Sequence, residues 1–347
     1  MARPAWNVFF TLSGYLITGL LHTEYRASGT IALKAFLVRR GMRLLPALLL
    51  VTAVWYVIVL VVVSPSTTEL TQTVIAVVTY TANWVMVAGR PLTHFFGHTW
   101  SLAIEEQFYL LWPLVLWFIL ARTRTDRGAL WAVSGLTLLA SGWRASAFVL
   151  GGAPEVLYYR SDIRAEALLV GSGLAVLLRT ELVGTIRRRL PALDYAGVLT
   201  LGLVMTAVSP WTPFWYTGLG LVVSLSVAVI ITRVVLTPAS GVAWVLSRRA
   251  LVLIGQISYG LYLWHYPVFI ACKLWLPEAT LPFRVPHAVL GIVLTFACAS
   301  ASYRWLELPC REAGRRLVSA RAPRQSRSER RYPHGPEPHA NQTTSTL

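Results

Sequence analysis

Two adjacent carboxylates and an amide, Glu105, Glu106 and Gln107, sit near the start of an apolar stretch. The run is His98-Thr99-Trp100-Ser101-Leu102-Ala103-Ile104-Glu105-Glu106-Gln107-Phe108-Tyr109-Leu110-Leu111-Trp112-Pro113. The chain is poor in acid, with 15 Asp and Glu against 31 Lys and Arg. Ionisable groups among apolar residues are costly, so they mark candidate functional sites. On a helix, Glu105, Tyr109 and Trp112 share one face, while Glu106 lies about 100° round, beside Leu110. Such a pair of acids can serve two partners: one binds or activates a hydroxyl, and the other holds an arginine. Ser101 is placed to cap the helix. Acids in the first turns also suit the helix dipole, which is a purely structural reason for them.

Three other constellations carry chemistry. In Ser258-Tyr259-Gly260-Leu261-Tyr262-Leu263-Trp264-His265, Ser258, Tyr262 and His265 fall on one helical stripe. A neutral His265 would serve as a base or bind a polar group. An interhelical hydrogen bond explains it equally well. In Arg39-Arg40-Gly41-Met42-Arg43, Arg40 and Arg43 share a face and suit bidentate phosphate binding, against a competing reading as a membrane-topology anchor. In Tyr158 to Leu168, Asp162 and Arg164 would line a polar acceptor site or form local ion pairs. Trp100, Ser101, Gln107, Tyr109 and Tyr262 complete the candidate substrate-binding set. Arg144, inside an apolar segment, is expected to pair with Glu105, Glu106 or Asp162. Phosphate-cradling glycine loops and nucleophile elbows are missing from the sequence, and Cys272, Cys298 and Cys310 lack metal-ligand spacing, so no metal site is expected.

The elements that position these residues are helical and membrane-embedded. Of the 347 residues 55% are hydrophobic and only 13% charged, well below the charge of a soluble domain. The expected fold class is all-α, a polytopic transmembrane helical bundle. Apolar segments cover 5–22, 44–63, 73–88, 106–121, 129–150, 165–178, 193–208, 214–232, 250–272 and 285–306. The net charge of +16 sits in short arginine clusters between them, as topology signals do, so nucleic acid is not an expected partner. All clusters fall on the cytoplasmic side only if 73–88 does not cross. This gives about nine crossings plus one re-entrant segment near 73–104. Residues 1–311 form the transmembrane domain, and 312–347, rich in Arg, Pro and Ser, form a disordered basic cytoplasmic tail. This topology puts Glu105, Glu106 and His265 at the outer mouths of their helices, far from Arg40 and Arg43 at the cytoplasmic mouth.

In this order, these runs resemble the integral-membrane acyltransferase-3 family. The matching stretches are Asn7 to Thr18, Phe36 to Pro46, the Trp-Ser-Leu-x-x-Glu-Glu-Gln-Phe-Tyr run, Asp162 to Gly171, the Ser-Tyr-x-x-Tyr-x-x-His run, and Tyr303 to Pro309. The resemblance implies O-acylation of a carbohydrate or glycosylated metabolite in the cell membrane. The co-substrate would be an acyl-CoA, usually acetyl-CoA, held by Arg40 and Arg43, with no bound cofactor. The acceptor would be a carbohydrate or lipid-linked glycan. Glu105, Glu106 and His265 are the catalytic candidates. The family's first helix carries an arginine and a histidine regarded as the base. This chain begins at what resembles the second helix, and His22 does not match, so an upstream helix is expected. Asn7 stands where the family usually has an acid. The alternative is a non-catalytic transporter or glycan-export partner on the same scaffold.

Overall fold

A computed structural model describes residues 5–62, 66–90, 92–207, 212–275 and 281–321. All the regular structure among them is helical, and no strand occurs. The helices are α1 (Ala5–Ser28), α2 (Leu33–Val62), α3 (Thr67–Val78), α4 (Ala82–Val87), α5 (Trp100–Thr123), α6 (Asp126–Val149), α7 (Pro154–Tyr159) and α8 (Ser161–Leu177). They continue with α9 (Val183–Ala207), α10 (Gly220–Leu236), α11 (Gly241–Leu246), α12 (Arg249–Gln256), α13 (Ser258–Trp275), α14 (Leu281–Ser302) and α15 (Leu308–Arg321). Four stretches are long and apolar enough to cross a bilayer: Leu33–Val62, Phe95–Thr123, Trp215–Leu236 and Pro286–Ser319. This is a membrane protein.

The apolar segment at 73–88 is broken. Ser66 caps α3 by accepting from the Glu69 N–H at 3.3 Å, the reciprocal Ser-x-x-Glu spacing of a capping box. Tyr80 then takes a left-handed backbone conformation, φ 54°, and the chain restarts as α4. With 12 residues, α3 is about 18 Å long, against about 30 Å of hydrocarbon. A tight turn at His94–Thr99 leads into α5.

The structure corrects two boundaries. Helix α2 starts at Leu33, three turns before the apolar segment at 44–63, because Arg39, Arg40 and Arg43 are good helix formers that apolarity counts miss. Helix α15 carries ordered structure through Arg321, within the stretch expected to be disordered. It lies on α2, where Gly314 meets Met42. The rest of that tail, 322–347, lies outside the described residues.

The tightest packing is between α1 and α8. A Cβ on Gly14 would strike the Leu168 carbonyl, and one on Gly171 would strike the Thr11 carbonyl. Small residues permit this approach, which in an apolar solvent is the main source of helix association. One turn along, Thr18 Oγ1 donates to Ser172 Oγ at 2.8 Å. Helix α10 joins through Asn7, whose amide donates to the Gly220 carbonyl at 3.0 Å. At the α5–α6 turn, outside the apolar segments, Arg26 and His22 both bond Asp126. Burial pushes the Asp126 carboxyl up, but these bonds outweigh it and hold its pKa below the ordinary value. His22 therefore pins α1 to α6 and takes no part in the site.

Gly14→Ala or Gly171→Ala is expected to destabilise the fold by about 1–3 kcal/mol, the usual cost of overpacking, since backbone atoms cannot step aside. Thermal unfolding in detergent checks this against Gly135→Ala, where a Cβ meets open space.

Candidate active site

A polar stripe on α5 organises the site. Ser101, Glu105 and Tyr109 are spaced four residues apart, so they stack along one face over about 12 Å. Each bonds to a different neighbour. The Tyr262 hydroxyl of α13 donates to the His98 carbonyl at 2.5 Å and so accepts from Ser101 Oγ, also at 2.5 Å. Ser101 thus lies within the helix and bridges to α13 instead of capping α5, whose preceding residue is Thr99. Glu105 is buried and accepts from the Tyr109 hydroxyl at 3.0 Å. Ser13 of α1 bonds that same hydroxyl. Lower on α5, Trp112 Nε1 donates to Thr18 at 2.8 Å.

Glu106 faces α2. Its carboxylate receives Arg40 Nε at 3.1 Å and Nη2 at 2.8 Å. The same guanidinium lies over the Tyr109 ring, 3.2 Å from its centroid. The two acids therefore do serve two partners, a hydroxyl and an arginine. The expected separation of Arg40 from the Glu105-Glu106 run is overturned: the early start of α2 lets its long side chain reach into the bundle. Arg40 and Arg43 do not act as a pair either. Arg40 is committed to Glu106, while Arg43 is exposed and makes no ion pair or hydrogen bond among the described residues.

His265 Nδ1 lies 2.7 Å from the Tyr262 carbonyl and 3.2 Å from that of Leu261. Carbonyls only accept, so Nδ1 carries a proton, and the neutral tautomer with that proton has its lone pair on Nε2. His265 lines a groove of about 380 Å³ between α13 and α14, with Ser258, Tyr262, Phe269, Ile292 and Thr295. The predicted stripe is therefore assembled. Beside it, His98 is buried, and neither ring nitrogen has a partner at full hydrogen-bond geometry among the described residues. Its ring stands edge-on to His265, with centroids 5.6 Å apart.

The other expected residues have different settings. Gln107 is saturated: Nε2 donates to the Tyr80 carbonyl at 2.8 Å and Asn83 Oδ1 at 2.9 Å, and Oε1 accepts from Ser161 at 2.5 Å and Trp84 at 3.3 Å. It fastens α4 and α8 to α5. Asp162 binds Arg160 at 2.6 Å and Trp143 Nε1 at 2.7 Å. Arg144 pairs with none of the three acids expected. Its partner is the buried Glu166, at 2.5 Å, with Tyr216 supplying a carbonyl at 3.1 Å. Glu166 is nearest because α6 packs on α8, a tertiary fact invisible in spacing. Trp100 and Arg164 belong to an aromatic cluster beside the stripe. Sequence reasoning missed Ser13, Trp6 and Glu166. Among the described residues no three His, Cys, Asp or Glu side chains cluster to hold a metal.

Comparison with known proteins places these observations. The family model described as "Acyltransferase domain" matches residues 1–304. The peptidoglycan O-acetyltransferase OatA of Listeria monocytogenes is 36% identical over 328 residues, 89% of this chain and 51% of that protein. The O-acetyltransferase OatA of Staphylococcus aureus strain NCTC 8325 is 32% identical over 320 residues, 89% of this chain and 52% of that protein. The chain thus spans about half the length of these curated relatives. No solved structure matches it.

The Arg40–Glu106 pair generates a prediction. Arg40→Ala leaves a carboxylate unpaired and is expected to cost about 3–5 kcal/mol, while Arg40→Met with Glu106→Leu restores most of that stability without restoring function. Unfolding of the three variants in detergent checks this. A double variant no more stable than Arg40→Ala refutes it.

Proposed function

This chain belongs to the acyltransferase family whose model it matches, and we propose that it moves an acetyl group from acetyl-CoA to a hydroxyl of a glycan at the cell membrane. The carrying observation is the α5 stripe, which links the Arg40–Glu106 pair on one side to Tyr262 and His265 on the other. In our reading, Arg43 meets the donor's phosphates. Arg40, Glu106 and Tyr109 form the rigid wall along which the thioester lies. His265 Nε2 takes the acceptor hydroxyl's proton as its oxygen attacks the thioester carbonyl. The C–S bond then breaks, and the CoA thiolate leaves and takes a proton. The relatives' names support acetyl as the acyl group and peptidoglycan as a candidate acceptor. We also read the chain as crossing the membrane about nine times, with the α3–α4 region re-entrant and the C-terminal tail cytoplasmic.

A second reading keeps the scaffold without the chemistry. A buried polar stripe through a helical bundle also suits a transporter or glycan-export partner.

Membranes containing the chain, incubated with radiolabelled acetyl-CoA and peptidoglycan precursors, separate the two. We expect acetyl incorporation that falls by about 10²–10⁴-fold in His265→Asn, the usual worth of a general base. Arg43→Ala is expected to raise the KM for donor with a smaller effect on kcat. Translocation without incorporation favours the transporter. Incorporation unchanged in both variants refutes the site assignment.

A further inference from the structure

Arg164 presents a problem that the transfer chemistry leaves unsolved. It is only 2% exposed. Its Nε donates to the Tyr158 carbonyl at 2.9 Å. Its guanidinium carbon lies 3.7 Å from the Trp6 ring centroid and 4.7 Å from that of Tyr158. Its Nη2 has no hydrogen-bond partner among the described residues. Each acid around it is engaged elsewhere. Glu166 gives one oxygen to Arg144 and the other to Ser141, both at 2.5 Å. Asp162 is taken by Arg160 and Trp143. Glu105 accepts from Tyr109, and Glu155 on α7 is exposed. Glu166 still attracts Arg164 across the gap but makes no bond to it, and a buried cation without a bonded counter-ion is unfavourable. Aromatic faces offset only part of this cost.

A second donor is also unfilled. Trp215 Nε1 is buried without a partner among the described residues, on a ring 5.3 Å from Trp6 and edge-on to it. Trp6 and Tyr158 thus lie against the guanidinium, and Trp100 and Trp215 pack on these rings to complete an aromatic cluster around it. Unsatisfied buried donors of this kind call for a ligand acceptor. We propose that Arg164 and this aromatic box form a subsite for an oxyanion carried by the acceptor, a sugar carboxylate or a sugar phosphate. The guanidinium edge and the Trp215 N–H pair with the anion.

The placement fits the transfer site. Helix α1 carries Trp6 in the box and Ser13 on the α5 stripe, seven residues or about 10 Å apart. Between them, Phe9 stacks on Tyr262, with centroids 6.2 Å apart. A sugar anchored at Arg164 therefore extends towards Tyr262 and His265. The inference rests on the reading that the acceptor is a glycan, and its test is made without any donor, so it succeeds or fails apart from transfer.

The purified chain in detergent is titrated with glucuronate, glucose 1-phosphate and glucose, following tryptophan emission and thermal unfolding. We expect a saturable emission change and a raised unfolding temperature with one or both anionic sugars, and neither with glucose. A response to glucuronate alone identifies a carboxylate, and one to glucose 1-phosphate alone a phosphate. Arg164→Gln should weaken binding about 10–100-fold, the worth of a charge-assisted hydrogen bond, and Arg164→Lys by less. No response to either anion, an equal response to glucose, or undiminished binding by Arg164→Gln overturns the proposal. If Arg164→Gln does not fold, the wild-type comparison of anionic with neutral sugar decides.

Discussion

The contact between Arg40 and Glu106 joins the two longest-reaching parts of the site, and the surrounding geometry depends on it. Two charges among apolar helices must satisfy one another, since the bilayer offers no water to do it. Both guanidinium bonds converge on one carboxylate, and the face of the same group rests on Tyr109. Tyr109 is in turn the donor to Glu105. The pair therefore sets the height of α2 against α5 and, through Tyr109, orients the second acid. Its worth lies in fixing geometry more than in net stabilisation, because desolvation offsets most of the attraction.

Around this pair, the bundle satisfies its polar groups helix by helix. Trp112 meets Thr18, Thr18 meets Ser172, Arg144 meets Glu166, and Gln107 uses all its hydrogen-bonding capacity on Tyr80, α4 and α8. These contacts hold the scaffold rigid. The exceptions are then informative. Among the described residues, His265 Nε2, both His98 ring nitrogens, the Arg43 guanidinium and the buried Arg164 Nη2 have no hydrogen-bond partner. Buried polar atoms elsewhere, such as Trp55 Nε1 and Trp264 Nε1, are unpartnered as well, so these four groups are singled out by where they lie. Three of these four, His98, His265 and Arg164, flank the α5 stripe near its start at Ser101, and Arg43 lies beyond Arg40 on α2.

The meeting of α2 with α5 also brings an arginine onto the adjacent acids. Read along the chain, the arginines and the adjacent acids belong to opposite mouths of the bundle. In the folded chain, one arginine reaches the acids and its neighbour at i+3 does not. A single helical turn thus separates a structural arginine from one available to a ligand. The same logic distinguishes Glu105, bonded to a hydroxyl, from Glu106, bonded to a cation.

Much of this was legible from residue order alone. Apolar segments and clustered arginines specify a helical membrane protein, because burial in lipid demands apolar faces and internally bonded backbone. The motif runs around Glu105, His265 and Arg40 locate the chemistry, since charge in such a setting is retained only for a reason. The divergence of Glu105 from Glu106 follows from helical periodicity. Partner choice was not legible. Arg144 bonds Glu166 instead of Glu105, Glu106 or Asp162, Ser101 bonds Tyr262 instead of capping its helix, and Arg164 is caged by rings from Trp6 and Tyr158. Spacing fixes which face of a helix a residue occupies. Which helix lies against that face depends on close approaches such as Gly14 to Leu168, and these exist only once the bundle has packed.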